Sequence, residues 1–258
     1  MRKGMTAALL ALAFAVVAAG RAPAQTDPFA AAVSQTKSSD PRARYDAAGA
    51  LAGIRGPRSV AVLASLLSSD PDGRVRQAAA ESLGRLGDAS AVPALIAALK
   101  DPSPPVRFAA VSSLGGLRSP AAVPALSALL SDPDASMRRT AAQMLGQIAD
   151  PSAKEALRKS LTDADEGTRL ESANGLARMG DSGGLNVALD GLRSKDPVSR
   201  RRAALALSRS DDPAAVSALD AAYAGEKEGA TRSAMGEARS RIRERSGRKK
   251  AGASGAGR

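Results

Sequence analysis

An all-α fold, a right-handed α-solenoid of about six helix–turn–helix units, is predicted by three features of this 258-residue sequence. A set of residues recurs at a spacing of 31. Each recurrence opens with an acidic residue, usually followed by Pro, and continues with apolar residues at helical spacing. Aromatic residues make up only 2% of the chain and Trp is absent. Cores built from sheets lean on β-branched and aromatic side chains. An Ala-rich chain buries area by close approach of many small helical faces instead.

The recurrence is clearest in one Arg column: Arg44, Arg76, Arg107, Arg138, Arg169 and Arg200, with steps of 32, 31, 31, 31 and 31. Seven residues after each Arg stands a Leu, at Leu51, Leu83, Leu114, Leu145, Leu176 and Leu207. Three residues further comes another apolar residue, Ile54, Leu86, Leu117, Ile148 or Met179, until the sixth copy places Ser210 there. Upstream lie Asp40-Pro41, Asp70-Pro71, Asp101-Pro102, Asp132-Pro133, Asp163-Ala164 and Asp196-Pro197. Asp followed by Pro reads as a helix start, because Asp caps free amides and Pro fits the first helical position. The segment Val75 to Gly87 then reads as one amphipathic helix closed by a Gly. A second helix follows, clearest at Val92–Leu99 and Val123–Leu130. Its last apolar column is Leu67, Leu99, Leu130, Leu161, Leu192 and Tyr223.

Such a unit cannot cover both its faces alone and must stack on its neighbours. Ala78, Ala79, Ala109, Ala110, Ala141 and Ala142 are the positions expected to let successive helices approach. The combined pattern D-P-x-x-x-V-R-x-x-A-x-x-x-L-G-x-L-G-D-x-x-A-V-P-A-L-x-x-L-L resembles the short HEAT-like repeats of the phycobilisome-lyase type. Residues Asp70 to Leu99 and Asp101 to Leu130 match it best. The resemblance implies the solenoid fold. For function it implies only a range: scaffolds, adaptors, regulators, chromophore lyases and some nucleic-acid binders.

Five segments follow. Residues 1–24 read as a signal peptide, 25–38 as an N-terminal cap and 39–223 as the solenoid. Residues 224–246 read as a C-terminal capping helix, and 247–258 as a disordered basic tail. The signal reading rests on Arg2 and Lys3, then the apolar run Thr6 to Ala19, then Ala22-Pro23-Ala24, with cleavage expected after Ala24. That run is shorter than the roughly 20 residues needed to span a bilayer. The expectation is export to the periplasm or medium, with membrane contact only before cleavage.

The formal charge of +11 is concentrated at the ends. Residues 25–223 carry 24 basic and 22 acidic residues, whereas residues 224–258 carry ten basic and four acidic. With neither Cys nor His, the chain lacks thiol chemistry, the commonest general base and the commonest metal ligand. The reading is a non-enzymatic protein with no cofactor. It would be a scaffold or adaptor that binds a protein partner, with no nucleic acid expected. The alternatives are a chromophore-lyase-like enzyme and polyanion binding through the C-terminus.

Two sets of residues stand out. Asp70, Arg76, Asp101, Arg107, Asp132, Arg138, Asp163 and Arg169 form an expected structural ladder, each Arg meeting an Asp of its own or the next unit. Arg239, Arg241, Arg243, Arg245, Arg248, Lys249 and Lys250 are either contacts for a polyanion or a solubilising tail. The clusters Asp163/Asp165/Glu166 and Asp211/Asp212 read as capping groups. Gly115-Gly116 and Gly183-Gly184 read as helix ends.

Overall fold

The computed structural model describes residues 27–255, with side chains described through Ser246. The segment read as a signal peptide therefore lies outside the described residues. Among the described residues there are fourteen α-helices and no strand. The first helices of the six repeats are α2 (Pro41–Leu51), α4 (Gly73–Leu86), α6 (Pro104–Leu117), α8 (Ala135–Ile148), α10 (Glu166–Arg178) and α12 (Pro197–Leu207). The second helices are α3 (Pro57–Ser69), α5 (Val92–Ala98), α7 (Val123–Ala128), α9 (Lys154–Lys159), α11 (Leu185–Gly191) and α13 (Pro213–Gly225). A short α1 (Pro28–Gln35) packs on α2, and α14 (Gly229–Gly255) closes the other end against α12 and α13.

The core runs the length of the stack. All six Leu of the second column are at most 1% exposed. One continuous apolar cluster extends from Ala32 to Leu176 and a second from Leu170 to Ile242, with Leu161 packed against both. At the ends, Phe29 and Val33 of α1 are partly buried against the first cluster. Met235, Ala238 and Ile242 of α14 are buried in the second.

Helix starts differ from the expected register. The N-caps are Asp40, Asp72, Asp134, Asp165 and Asp196, each accepting a backbone amide. Asp70, Asp101, Asp132 and Asp163 stand two residues earlier, outside the helix. Each accepts the amide of the residue two further on, so they shape the entry turn rather than cap the helix. The Asp column read from sequence thus merged two columns of different duty. Asp40 and Asp196 belong to the capping column, and at their repeats Ser38 and Ser194 occupy the outer one.

The first helices pack more extensively on one another than the second helices do. Glycine at the close approach explains how. A β-carbon on Gly146 would lie 2.9 Å from Gly175 Cα, and one on Gly84 would lie 2.5 Å from Ser113 Oγ. Gly115 is likewise buried inside α6, where a β-carbon would lie 2.8 Å from Met144 Cγ. It is a packing residue, not the helix end read from sequence. Gly183 and Gly184 sit in the 3₁₀ turn entering α11, where Gly184 meets the backbone of α10 at Ala173. The Ala residues named for this role, Ala78, Ala79, Ala109, Ala110, Ala141 and Ala142, are all buried alongside.

The C-terminus differs too. The backbone of α14 stays helical through Gly255, across most of the stretch expected to be disordered. Arg, Lys, Ala and Glu favour helix and no Pro interrupts them.

Gly146→Ala should lower stability by about 1–3 kcal/mol, because backbone rather than a flexible side chain must move. Gly116→Ala, in an exposed helical position with nothing within 4 Å, should instead raise it, by up to about 1 kcal/mol. Urea unfolding of the two variants checks the opposite signs.

Candidate interaction surface

The Arg column is a clamp between repeats. Arg44 donates from Nε and Nη2 to the two carboxylate oxygens of Asp70, at 2.7 and 2.9 Å, across 26 residues of sequence. Its Nη1 donates to the carbonyls of Ser38 and Ser39 in its own repeat. Arg76–Asp101 and Arg138–Asp163 repeat this geometry, with Nη1 on the carbonyls of residues 70 and 71, and of 132 and 133. One guanidinium thus ties the entry turn of its own repeat to that of the next. The planar fork of Arg suits this; the single ammonium of Lys does not.

Two rungs depart from the expected ladder. Arg107 makes its carbonyl contacts, but among the described residues it forms no ion pair with Asp132. Asp132 instead accepts the Asp134 amide of its own entry turn. Arg169 also holds only carbonyls, those of Asp163 and Ala164, because Ser194 stands where the next Asp would be. A further rung was missed. Arg200 forms the same bidentate pair with Glu226, at 2.6 and 2.9 Å. Its signal was present in the sequence, since Glu226 follows Arg200 by the same 26 residues that separate Arg44 from Asp70.

These bonds set the titration of the carboxyls. The Arg76 bond holds Asp101 below the usual carboxylate range, and the Arg138 bond does the same for Asp163. Glu226 is held at about 2, chiefly by Arg200.

The described C-terminal cations are engaged within the chain. Arg239 bonds Asp220 and lies 4.4 Å from the centre of the Tyr223 ring. Arg243 also bonds Asp220, Arg241 pairs with Glu237, and Arg245 pairs with Asp211 and donates to the carbonyls of Ser208 and Ser210. Four of the seven residues read as polyanion contacts therefore hold α14 together or fasten it to the preceding repeat. The side chains of Arg248, Lys249 and Lys250 lie outside the described residues. The Arg200–Arg202 run is also largely committed: Arg202 pairs with Glu171, and only Arg201 is exposed.

What remains on the second helices is a smooth face of small residues. Ala61, Ser65, Pro93, Ala97, Pro124 and Ala128 are exposed along α3, α5 and α7. Exposed charge is sparse there: Arg58 at the start of α3, over the Phe29 ring, then Lys100, then Glu155, Arg158 and Lys159 on α9.

This architecture defines a helical-repeat solenoid. Models of HEAT repeats match residues 26–101, 92–173 and 156–238, so the chain belongs to the HEAT-repeat family. Solved structures agree on the fold. The complex of CpcE and CpcF of phycocyanin lyase from a Nostoc species is similar at 23% identity and a TM-score of 0.58, over 87% of this chain and 97% of that one. YibA of Escherichia coli is 21% identical with a TM-score of 0.61, over 84% and 81%. An archaeal HEAT-like repeat protein from Thermococcus onnurineus is 16% identical with a TM-score of 0.57, over 84% and 97%. At these identities the likeness is one of fold. No curated protein is similar enough in sequence to match.

The pH dependence of stability follows from the clamp. Because Asp101, Asp163 and Glu226 are held lower in the folded chain than when unfolded, their contribution is complete above about pH 5. It is lost as pH falls toward the value of about 2 at Glu226. With no His, the melting temperature should be flat from about pH 5 to 8 and fall steeply below about pH 4. Calorimetry across that range checks it, and Asp101→Asn should flatten part of the acid limb.

Proposed function

We propose that the chain is an extracytoplasmic, non-catalytic scaffold whose stacked repeats present a preformed surface to a protein partner. The observation that carries this is the division of labour between the helices. The first helices and their Arg clamps fix the repeats to one another, while the exposed face of α3, α5 and α7 is left mainly to small side chains. A fixed face binds without the ordering cost that a flexible one incurs. Small residues let a partner's backbone or side chains approach closely over several repeats. The HEAT-repeat family supports the same class of activity, since repeat solenoids commonly use their extended surface for binding. Export rests on the pattern from Arg2 to Ala24 alone.

Cross-linking in the producing cells, followed by mass spectrometry of the extracytoplasmic fraction, tests both parts. The mature chain should begin at Gln25. Cross-links to one recurring protein should map to α3, α5, α7 and α9. Recovery in the cytoplasm with Met1 retained would refute export, and cross-links confined to the first helices would refute the assigned face.

A further inference from the structure

The repeat pattern fails at one place that the clamp and the scaffold face leave unexplained. In five repeats the residue three after the column Leu is apolar, and Leu86, Leu117, Ile148 and Met179 pack against the core. In the sixth it is Ser210. There α12 stops at Leu207, as α2 stops at Leu51, whereas α4, α6 and α8 continue through that apolar residue to Leu86, Leu117 and Ile148. With Ser210 in place of the apolar side chain, a pocket of about 310 Å³, lined by Ser210 itself, lies between the fifth and sixth repeats. That volume lies at the small end of ligand sites. Ala173, Ala177, Leu185, Ala188 and Leu207 form its apolar wall.

The charged groups at the rim are unequal. Asp181 bonds Arg158 and the Gly183 amide. Asp211 bonds Arg245, and Asp212 caps α13 through the Ala214 amide. Among the described residues Arg209 has no ion-pair partner, and it is the one cation of this rim. Its Nη1 reaches only Asn174 Oδ1, at 3.4 Å, and the Leu205 carbonyl, at 3.2 Å. The stretches whose side chains are not described, residues 1–26 and 247–258, contain no Asp or Glu. Burial, and then the charges of Arg178, Arg241 and Arg245, hold the Arg209 guanidinium below its ordinary value. An anion at its head would relieve that repulsion.

We propose that this pocket binds a small organic anion, a carboxylate on a short apolar stem, with the stem against the Ala and Leu wall and the head on Arg209. A polyphosphate would bring surplus charge against Asp181, Asp211 and Asp212. A cation would meet Arg209. Both are disfavoured by the same geometry.

Titration calorimetry of the full chain with hexanoate tests this, with hexylammonium and inorganic phosphate as controls for charge and stem. Hexanoate should bind one per chain, at least about tenfold tighter than either control. Arg209→Gln should weaken it about tenfold or more, the loss of one charge-assisted bond. Ser210→Leu, which restores the residue type of the other repeats, should abolish binding while raising the melting temperature. Absence of hexanoate binding, equal binding of either control, or undiminished binding to Ser210→Leu would each overturn the proposal.

Discussion

A guanidinium that reaches out of its own repeat into the next is the contact on which the stack's regularity depends. Apolar burial alone would hold these repeats together without fixing their relative rotation, because Ala and Leu faces slide past one another at little cost. Bidentate geometry removes that freedom. Arg44, Arg76, Arg138 and Arg200 each accept one orientation of the following carboxylate, while the remaining nitrogen fixes the Arg against its own entry turn. Ion pairs of this kind add little net stability when water reaches them and more when it does not. Here the paired side chains are largely covered, Asp70 to 2% and Glu226 to 4% exposed. Their main effect is to specify one register, with the glycine contacts at Gly84, Gly115 and Gly146 then tolerating no other.

The places where the pattern lapses are as informative as those where it holds. Ser194 removes a rung between the fifth and sixth repeats, and Ser210 replaces the apolar residue that follows the column Leu in the sixth. Both lapses fall at the boundary where the apolar core divides into two clusters. That junction is held by other means: Arg202 pairs with Glu171, and Ser194 donates to Glu166. The regular ladder is thus replaced there by an irregular network wrapped around α10, several of whose polar residues, among them Glu171 and Asn174, are buried. A junction released from strict repetition is a place where a cavity can open without undoing the stack.

Much of the fold was legible because repetition multiplies a weak signal. One Arg or one Leu says little; six at a fixed spacing say which residues face the core and which face the neighbour. The signal failed where two columns of the same residue type lie two residues apart. Asp70 and Asp72 both look like helix starts, and only the observed bonds separate the clamping Asp from the capping one. Glycine misled for a related reason. Gly87 closes α4 with a φ of 71°, while Gly84 and Gly115 serve close packing, and the letter is the same. The pairs that tie down α14 were illegible altogether. Arg239 finds Asp220 and Arg245 finds Asp211 through tertiary placement across 19 and 34 residues, outside any period.

Those last pairs change what a net charge of +11 means. Counted along the chain, the C-terminal cations look like an offer to a polyanion. Counted in space, the described ones are largely answered by acids of the same chain, and a charge already bonded must break that bond before it can serve a ligand. Attraction for an external anion therefore belongs to the guanidinium that the fold leaves unanswered rather than to the densest run of basic residues. By that criterion a partly buried Arg209, near the like charges of Arg178, Arg241 and Arg245 and with no ion-pair partner among the described residues, is a stronger anion seat than the described cations of the C-terminal series.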